Sequence, residues 1–242
     1  MASSLDCILF DLDDTLYPFN TGIADAVNKN IEDFLIQKCG IPEIKAPILR
    51  KELFETYGGN LAGLRALGHD IHPDDYHGFV HGKLAYEWIK PDFKLRQILF
   101  TIPLRKIIYT NSDIKHATKV LARLGLEDCF EKIICFETMN PNLFKATRSN
   151  EVPVLLKPSM DAIRIALDVA NVDPRRTLFL DDNVSNIAAG KALGLRTVLV
   201  GKSVKSTEAD YVVETVHDLV QTVSEIWVSA ESNGDNETMN GS

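Results

Sequence analysis

Two acid pairs, each closing an apolar run, are the residues of this chain best placed to do chemistry. The first is Asp11-Leu12-Asp13-Asp14-Thr15, which follows Cys7-Ile8-Leu9-Phe10. An apolar run of this length reads as a buried strand, and Asp11 and Asp13, two apart, point to one side if the extended backbone continues. Neighbouring carboxylates repel, so each tends to take up a proton unless a cation sits between them. The pair therefore implies a metal site, a proton-transfer pair, or both. An Asp-rich turn capping a strand is the plain alternative. The second pair, Asp181-Asp182, ends the run Thr177-Leu178-Phe179-Leu180, and turn preference alone does not explain two such strands.

Two further clusters stand at element ends. Thr110, Asn111 and Ser112 follow Lys106-Ile107-Ile108-Tyr109, where a hydroxyl and an amide at the start of a helix can donate to an anion or simply cap it. Lys157 precedes Pro158 and Ser159. A positive charge at a helix N-terminus is unfavourable unless an anion lies opposite. Four acids near one lysine suit a hard, oxygen-preferring ion such as Mg2+, which binds through a few carboxylates and a substrate phosphate. The six histidines (His69, His72, His77, His81, His116, His217) are scattered along the sequence, and no His or Cys cluster with zinc spacing is expected.

The elements that must hold these residues form two blocks. Between residues 16 and 95 nothing resembles a buried strand. Helical spacing covers 23–39, and shorter helical stretches cover 44–57, 59–67 and 73–87, punctuated by Gly58, Gly59, Gly68 and Pro73. Beyond Pro91 the pattern changes to strands at 106–110, 132–136, 177–180, 196–200 and 211–213. Helices at 113–125, 159–170, 184–193 and 215–228 alternate with them. This alternation predicts an α/β fold, a parallel sheet covered on both faces. Residues 138–156 read as a long loop, and the polar tail 229–242 as disordered.

The 242 residues carry a formal net charge of −8, which disfavours a nucleic-acid polymer as partner and leaves a small phosphorylated ligand open. Cys7, Cys39, Cys129 and Cys135 show no CxxC pair and read as free thiols in a reducing compartment. No apolar stretch reaches membrane-spanning length, and no signal peptide is legible before the first strand, so a cytoplasmic protein without a membrane partner is expected.

The ordered set acid-x-acid-x-Thr (Asp11, Asp13, Thr15), Thr110-Asn111, Lys157-Pro158 and Asp181-Asp182 resembles the haloacid dehalogenase (HAD) superfamily of phosphatases. Asp-Leu-Asp-Asp-Thr-Leu-Tyr-Pro at 11–18, the stretch from Tyr57-Gly58 to Leu64, Lys90-Pro91-Asp92, and Val-Leu-x-x-Leu-Gly at 120–125 are similar to its pyrimidine 5′-nucleotidase-like branch, which includes plant nucleoside monophosphate phosphatases. The resemblance implies a HAD-like Rossmannoid core from residues 1–15 and 96–228, with 16–95 inserted as a helical cap. It implies Asp11 as nucleophile and Asp13 as general acid and then base, with acidic neighbours raising the Asp13 pKa. Asp11, the Asp13 backbone carbonyl and Asp182 are implied as Mg2+ ligands, with Asp181 reaching the ion directly or through water. Thr110, Asn111 and Lys157 are implied at the substrate phosphate. Many relatives separate the acids of the last motif; here they adjoin and Asn186 follows, which leaves the division of labour between Asp181 and Asp182 open.

Substrate choice is then expected in the cap, where Asn20, Tyr57, Asn60, Arg65, His69, His81 and Lys83 are the candidates to read a base or ribose. The expected activity is hydrolysis of a nucleoside 5′-monophosphate. The alternatives are a sugar-phosphate phosphatase or phosphomutase on the same residues, or an inactive phospho-ligand sensor or scaffold. A dehalogenase is disfavoured because it would leave Asp13 idle.

Overall fold

The computed structural model describes residues 5–145, 152–202 and 206–227. Six strands form one parallel sheet: β1 (Cys7–Phe10), β2 (Arg105–Tyr109), β3 (Lys132–Ile134), β4 (Thr177–Asp181), β5 (Arg196–Val200) and β6 (Tyr211–Val213). Their spatial order is β3-β2-β1-β4-β5-β6, so β1 lies between β2 and β4. The chain leaves β1 for one side of the sheet and returns to its other side at β4. That reversal opens a crevice beyond the carboxyl ends of β1 and β4, where open α/β sheets bind ligands.

Burial on both faces explains why β1 is apolar at every position. Ile8 and Phe10 join a cluster with Leu95, Leu99, Ala117, Val120, Leu121 and Leu219, from helices α5 (Phe93–Thr101), α6 (Ile114–Leu124) and α10 (Leu219–Thr222). Cys7 and Leu9 face the opposite cluster, with Ala162, Ile163 and Ala166 of α8 (Met160–Ala170) and Ile187 of α9 (Val184–Ala192). The period of two along β1 thus sorts its side chains between two helical layers.

Between β1 and β2 lie α1 (Ile23–Gln37), α2 (Ala46–Tyr57), α3 (Asn60–Ala66) and α4 (Pro73–His81). Their apolar faces meet in a third cluster around Phe34, Leu35, Leu53, Leu64 and Tyr76, which also takes in Phe136, Leu143 and Leu156 from the α/β part. The connecting segments belong elsewhere: Leu16, Tyr17, Leu84 and Ile89 are buried in the cluster beneath β1.

Several sequence expectations need correction. The helix expected over 73–87 ends at His81, with Gly82 as its cap and a separate turn of 3-10 helix at Tyr86–Trp88. Helix α5 bridges the expected boundary at 95, its first turn capped by Asp92. The strand expected to reach 136 stops at Ile134, and Phe136–Met139 forms the short helix α7. The closing helix over 215–228 is instead a 3-10 turn at Val216–Asp218, then α10, then a 3-10 turn at Ser224–Trp227. Part of the expected loop 138–156 is a 3-10 turn at Pro141–Phe144; residues 146–151 and the tail 229–242 lie outside the described residues.

Gly190 shows how closely α9 approaches the sheet, since an added Cβ would stand 2.7 Å from Cδ1 of the fully buried Phe179 ring. That ring has no room to retreat in a close-packed core. Gly190→Ala is expected to destabilise the protein by about 1–3 kcal/mol, read as a lower midpoint in urea unfolding at unchanged m-value.

Candidate active site

Lys157 is the centre of the site. Its side chain is 2 % exposed, and Nζ donates to Asp11 Oδ1 at 2.6 Å, Asp181 Oδ2 at 2.7 Å and the Tyr109 carbonyl at 2.9 Å. Three acceptors saturate the three protons of an ammonium. The contacts come from the ends of β1, β4 and β2, so one side chain ties together the three strands that line the crevice. The lysine is itself held from behind. Asn111 Nδ2 donates to the Lys157 carbonyl at 3.0 Å, and the Lys157 N–H donates to Asn111 Oδ1 at 2.9 Å. Asn111 therefore acts as an amide clamp on the lysine backbone.

The turn after β1 shapes the other side. Asp14 adopts φ 59°, a left-handed conformation that aspartate tolerates better than most residues. The reversal brings the Thr15 hydroxyl back to donate to Asp11 Oδ2 at 3.0 Å. Both Asp11 oxygens thus have a donor. Asp181 is fully buried and also committed: besides Lys157, its Oδ1 accepts from the Asn183 N–H and from Asn186 Nδ2, each at 2.9 Å. Asp182 instead lines the cavity that Asp11 and Asp13 share. The two adjacent acids therefore divide into one that anchors the lysine and one that faces the cavity.

Negative charge exceeds what Lys157 offsets. Burial drives the Asp11 carboxyl upward against the pull of Lys157, and the same acids hold Lys157 firmly protonated despite its burial. Burial and Asp181 raise Asp182 to about 6, and burial with Asp182 and Asp13 raises Asp14 to about 7. Asp14 Oδ1 is buried without a protein donor. Ligand atoms of Asp11, Asp181 and Asp182 lie within 4.8 Å of one another. An all-oxygen donor set with surplus negative charge fits a hard divalent cation.

Asp13 departs from the expectation. Burial alone would raise its carboxyl, but His116, Tyr17 and Ser112 hold it far below the usual range. Its Oδ1 meets His116 Nε2 at 2.7 Å and accepts from the Tyr17 hydroxyl at 2.6 Å, while Oδ2 accepts from Ser112 Oγ at 2.7 Å. Its acidic neighbours do not control it, because three donors are closer. His116 is buried, which lowers its pKa, yet Asp13 outweighs that and raises it. The opposite ring nitrogen of His116 contacts the Tyr86 hydroxyl at 2.9 Å. His116, and Tyr86 behind it, were not legible as site residues, because linking them to Asp13 requires knowing which elements face the end of β1; Tyr17 lies only four residues after Asp13, inside the first motif. Asp113 is the cap of α6, its Oδ1 accepting from the Lys115 and His116 N–H groups.

A cavity of ≈ 300 Å³ joins Asp11, Asp13, Thr110, Asn111, Ser112, Lys157 and Asp182 to Val27, Asn28, Phe54 and His81 of the inserted helices. Thr110 is buried with its hydroxyl oxygen accepting from the Ser112 N–H at 3.0 Å. The expected specificity residues separate. His81 lines this cavity; Tyr57 lines a neighbouring one of ≈ 420 Å³ beside Asn111 and Lys157. Asn20 lines a third, of ≈ 550 Å³, beyond Tyr17. Arg65 is buried and donates to the Ile71 and Val152 carbonyls, a structural role, and Asn60 is buried in the first turn of α3. Lys83 packs over the Phe79 ring at 4.6 Å, and the His69 N–H closes the turn after α3 on the Leu64 carbonyl. None of these last four lines the cavity holding Asp11.

A sequence profile of haloacid dehalogenase-like hydrolases matches residues 5–194. Phosphate metabolism protein 8 of Saccharomyces cerevisiae is 25 % identical over 199 residues, 78 % of this chain; the match spans 60 % of the yeast protein's length. Pyrophosphatase PpaX of Bacillus pumilus is 25 % identical over 236 residues, covering 91 % of this chain and 97 % of its own. Among solved structures, the HAD-hydrolase YfnB of Bacillus subtilis bound to magnesium superposes with a TM-score of 0.56 at 18 % identity, covering 90 % of this chain and 98 % of YfnB.

Removing the central cation should leave buried carboxylates unpaired. Lys157→Met is expected to destabilise the fold by about 3–5 kcal/mol. Mg2+ should restore part of this loss, more in the variant than in the wild type, as read by urea unfolding with and without the ion.

Proposed function

Because the chain belongs to the haloacid dehalogenase-like hydrolase family, we propose that it is a Mg2+-dependent phosphomonoesterase of the pyrimidine 5′-nucleotidase-like branch. Its substrate is a nucleoside 5′-monophosphate, with xanthosine 5′-monophosphate the first candidate. The observation that carries this reading is Asp13, a carboxylate facing the cavity of Asp11 and gripped by His116, Tyr17 and Ser112. Displacing a halide needs a nucleophile alone; expelling an alkoxide from phosphorus also needs a proton donor.

In the proposed reaction Asp11 attacks phosphorus, the bond to the nucleoside oxygen breaks, and that oxygen takes a proton. Asp13 with His116 supplies it, since the histidine at 2.7 Å is the group in the pair that holds a proton at rest. Asp13 then accepts a proton from water, which attacks phosphorus and releases Asp11 and phosphate. Lys157 fixes Asp11 for attack. Asp11, Asp182 and the Asp13 carbonyl would hold the ion, with Asp181 behind them. Magnesium, when bound, supplies positive charge against the phosphoryl oxygens.

Helices α1 to α4 act as the cap in this reading. Its face toward Asp11 carries Val27, Asn28, Phe54 and His81, an aromatic ring and polar groups suited to a nucleoside. Phe54 is 49 % exposed, and stacking a base on such a ring is worth about 1–3 kcal/mol. The free thiols of Cys7, Cys39, Cys129 and Cys135 suit a cytosolic site of action, and among the described residues no helix is long and apolar enough to cross a membrane.

Phosphate release should be measured across nucleoside monophosphates, sugar phosphates and pyrophosphate, with Mg2+ and with EDTA. The expected result is preferred turnover of a nucleoside monophosphate that EDTA abolishes; preference for a sugar phosphate or pyrophosphate would reassign the substrate. Asp11→Asn should abolish turnover with the fold intact by circular dichroism. Phe54→Ala should raise KM about tenfold or more while changing kcat little.

A further inference from the structure

A second group of metal-type donors lies apart from the carboxylate cluster, at the junction between the inserted helices and the α/β part. His77 and His81 stand one turn apart on α4, the i, i+4 spacing that sets two imidazoles on one helix face. Opposite them is Asp113, the cap residue of α6. Ligand atoms of the three residues lie within 4.8 Å of one another. His81 Nδ1 is 2.5 Å and His77 Nδ1 3.4 Å from the same oxygen, Asp113 Oδ2. This corrects the expectation that the histidines are scattered: the spacing was visible, but its carboxylate partner is more than thirty residues away in sequence.

His77 is the residue that protein contacts leave unexplained. Its side chain is 11 % exposed, and both ring nitrogens are buried without a hydrogen-bond partner. A buried imidazole with two unsatisfied nitrogens calls for a physical reason. Burial and the neighbouring His81 lower its pKa to about 3. Asp113 is oriented as a ligand would be. Its Oδ1 is fixed by two N–H groups of α6 at 3.0 and 3.1 Å, which leaves Oδ2 facing the histidines. A small opening of ≈ 70 Å³ reaches this point and leaves room for a water as further ligand. Asp74 and Glu137 line it together with Lys115 and Lys119.

We infer that His77, His81 and Asp113 form a binding site for a divalent transition ion of the Zn2+ class, distinct from the hard-cation cluster at Asp11. Two imidazoles and one carboxylate suit such an ion, whereas Mg2+ prefers oxygen. Binding exchanges the His81–Asp113 hydrogen bond for coordination, and the ion ties α4 to the first turn of α6. The site adjoins the acid–base group, because the His81 and His116 rings lie 4.3 Å apart, centroid to centroid. An ion there would tether the cap to the core beside the histidine that contacts Asp13.

The test uses the full chain, stripped of metal and held in excess Mg2+, titrated with Co2+ and read by visible d–d absorption, then displaced by Zn2+. The expected result is one saturable site with the spectrum of nitrogen and oxygen ligation, retained in Asp182→Asn. His77→Gln and His81→Gln should each weaken binding by more than about tenfold. Asp113→Asn, which keeps an acceptor for α6, should weaken it as well. X-ray absorption on the Zn2+-loaded wild type gives a check that needs no variant: imidazole scattering with Zn–N near 2.0–2.1 Å is expected. Binding unchanged in the His77→Gln/His81→Gln double variant, uptake lost in Asp182→Asn, or a zinc shell without imidazole would overturn the inference.

Discussion

The contact on which the site depends is the Lys157 ammonium between Asp11 and Asp181. A lone charge in a parallel-sheet interior is costly, and carboxylates gathered without a cation would repel their strands apart. Placing one lysine where β1, β2 and β4 end solves both problems for two acids and leaves Asp182 and Asp14 uncompensated. Burial first, and then the neighbouring acids, raise the pKa of both residues. In the proposed reaction a phosphoryl group would add further negative charge, which a divalent ion would offset.

Topology explains why one side chain suffices. Because β1 is central and the chain crosses it between β2 and β4, acids from far apart in sequence meet at one crevice. The insertion after β1 then lies over that crevice, and its helices contribute Val27, Asn28, Phe54 and His81 to the same cavity. Precision comes from the supporting layer: Asn111 clamps the backbone of Lys157, Asn186 holds Asp181, and Thr15 holds Asp11. Asp13 is set by different means, with a histidine, a tyrosine and a serine controlling its proton.

Three of the core motifs were legible because each sits at the end of a strand whose apolar run is unambiguous, as at Phe10, Tyr109 and Leu180, whereas Lys157 lies in a turn just before α8. The parallel sheet followed from the same runs, and β5 and β6 occupy the bounds read from Arg196–Val200 and Tyr211–Val213. What the sequence concealed depends on contacts between helices. Nothing local marks His116 as the partner of Asp13, or Arg65 as a buried donor to backbone carbonyls rather than a substrate contact. The closing segment failed for another reason. Its apolar residues repeat at helical spacing, but Val223 adopts φ −109° and ψ 85°, which ends α10 after one turn.

In the proposed mechanism Asp11 forms a covalent bond to phosphorus. The direct measurement is a rapid acid quench during steady-state turnover, followed by peptide mass mapping of the full chain. A phosphoryl adduct confined to the peptide bearing Asp11, which decays as phosphate appears, is the predicted result. Phosphate release with no such adduct at any quench time, or an adduct on another residue, would contradict it.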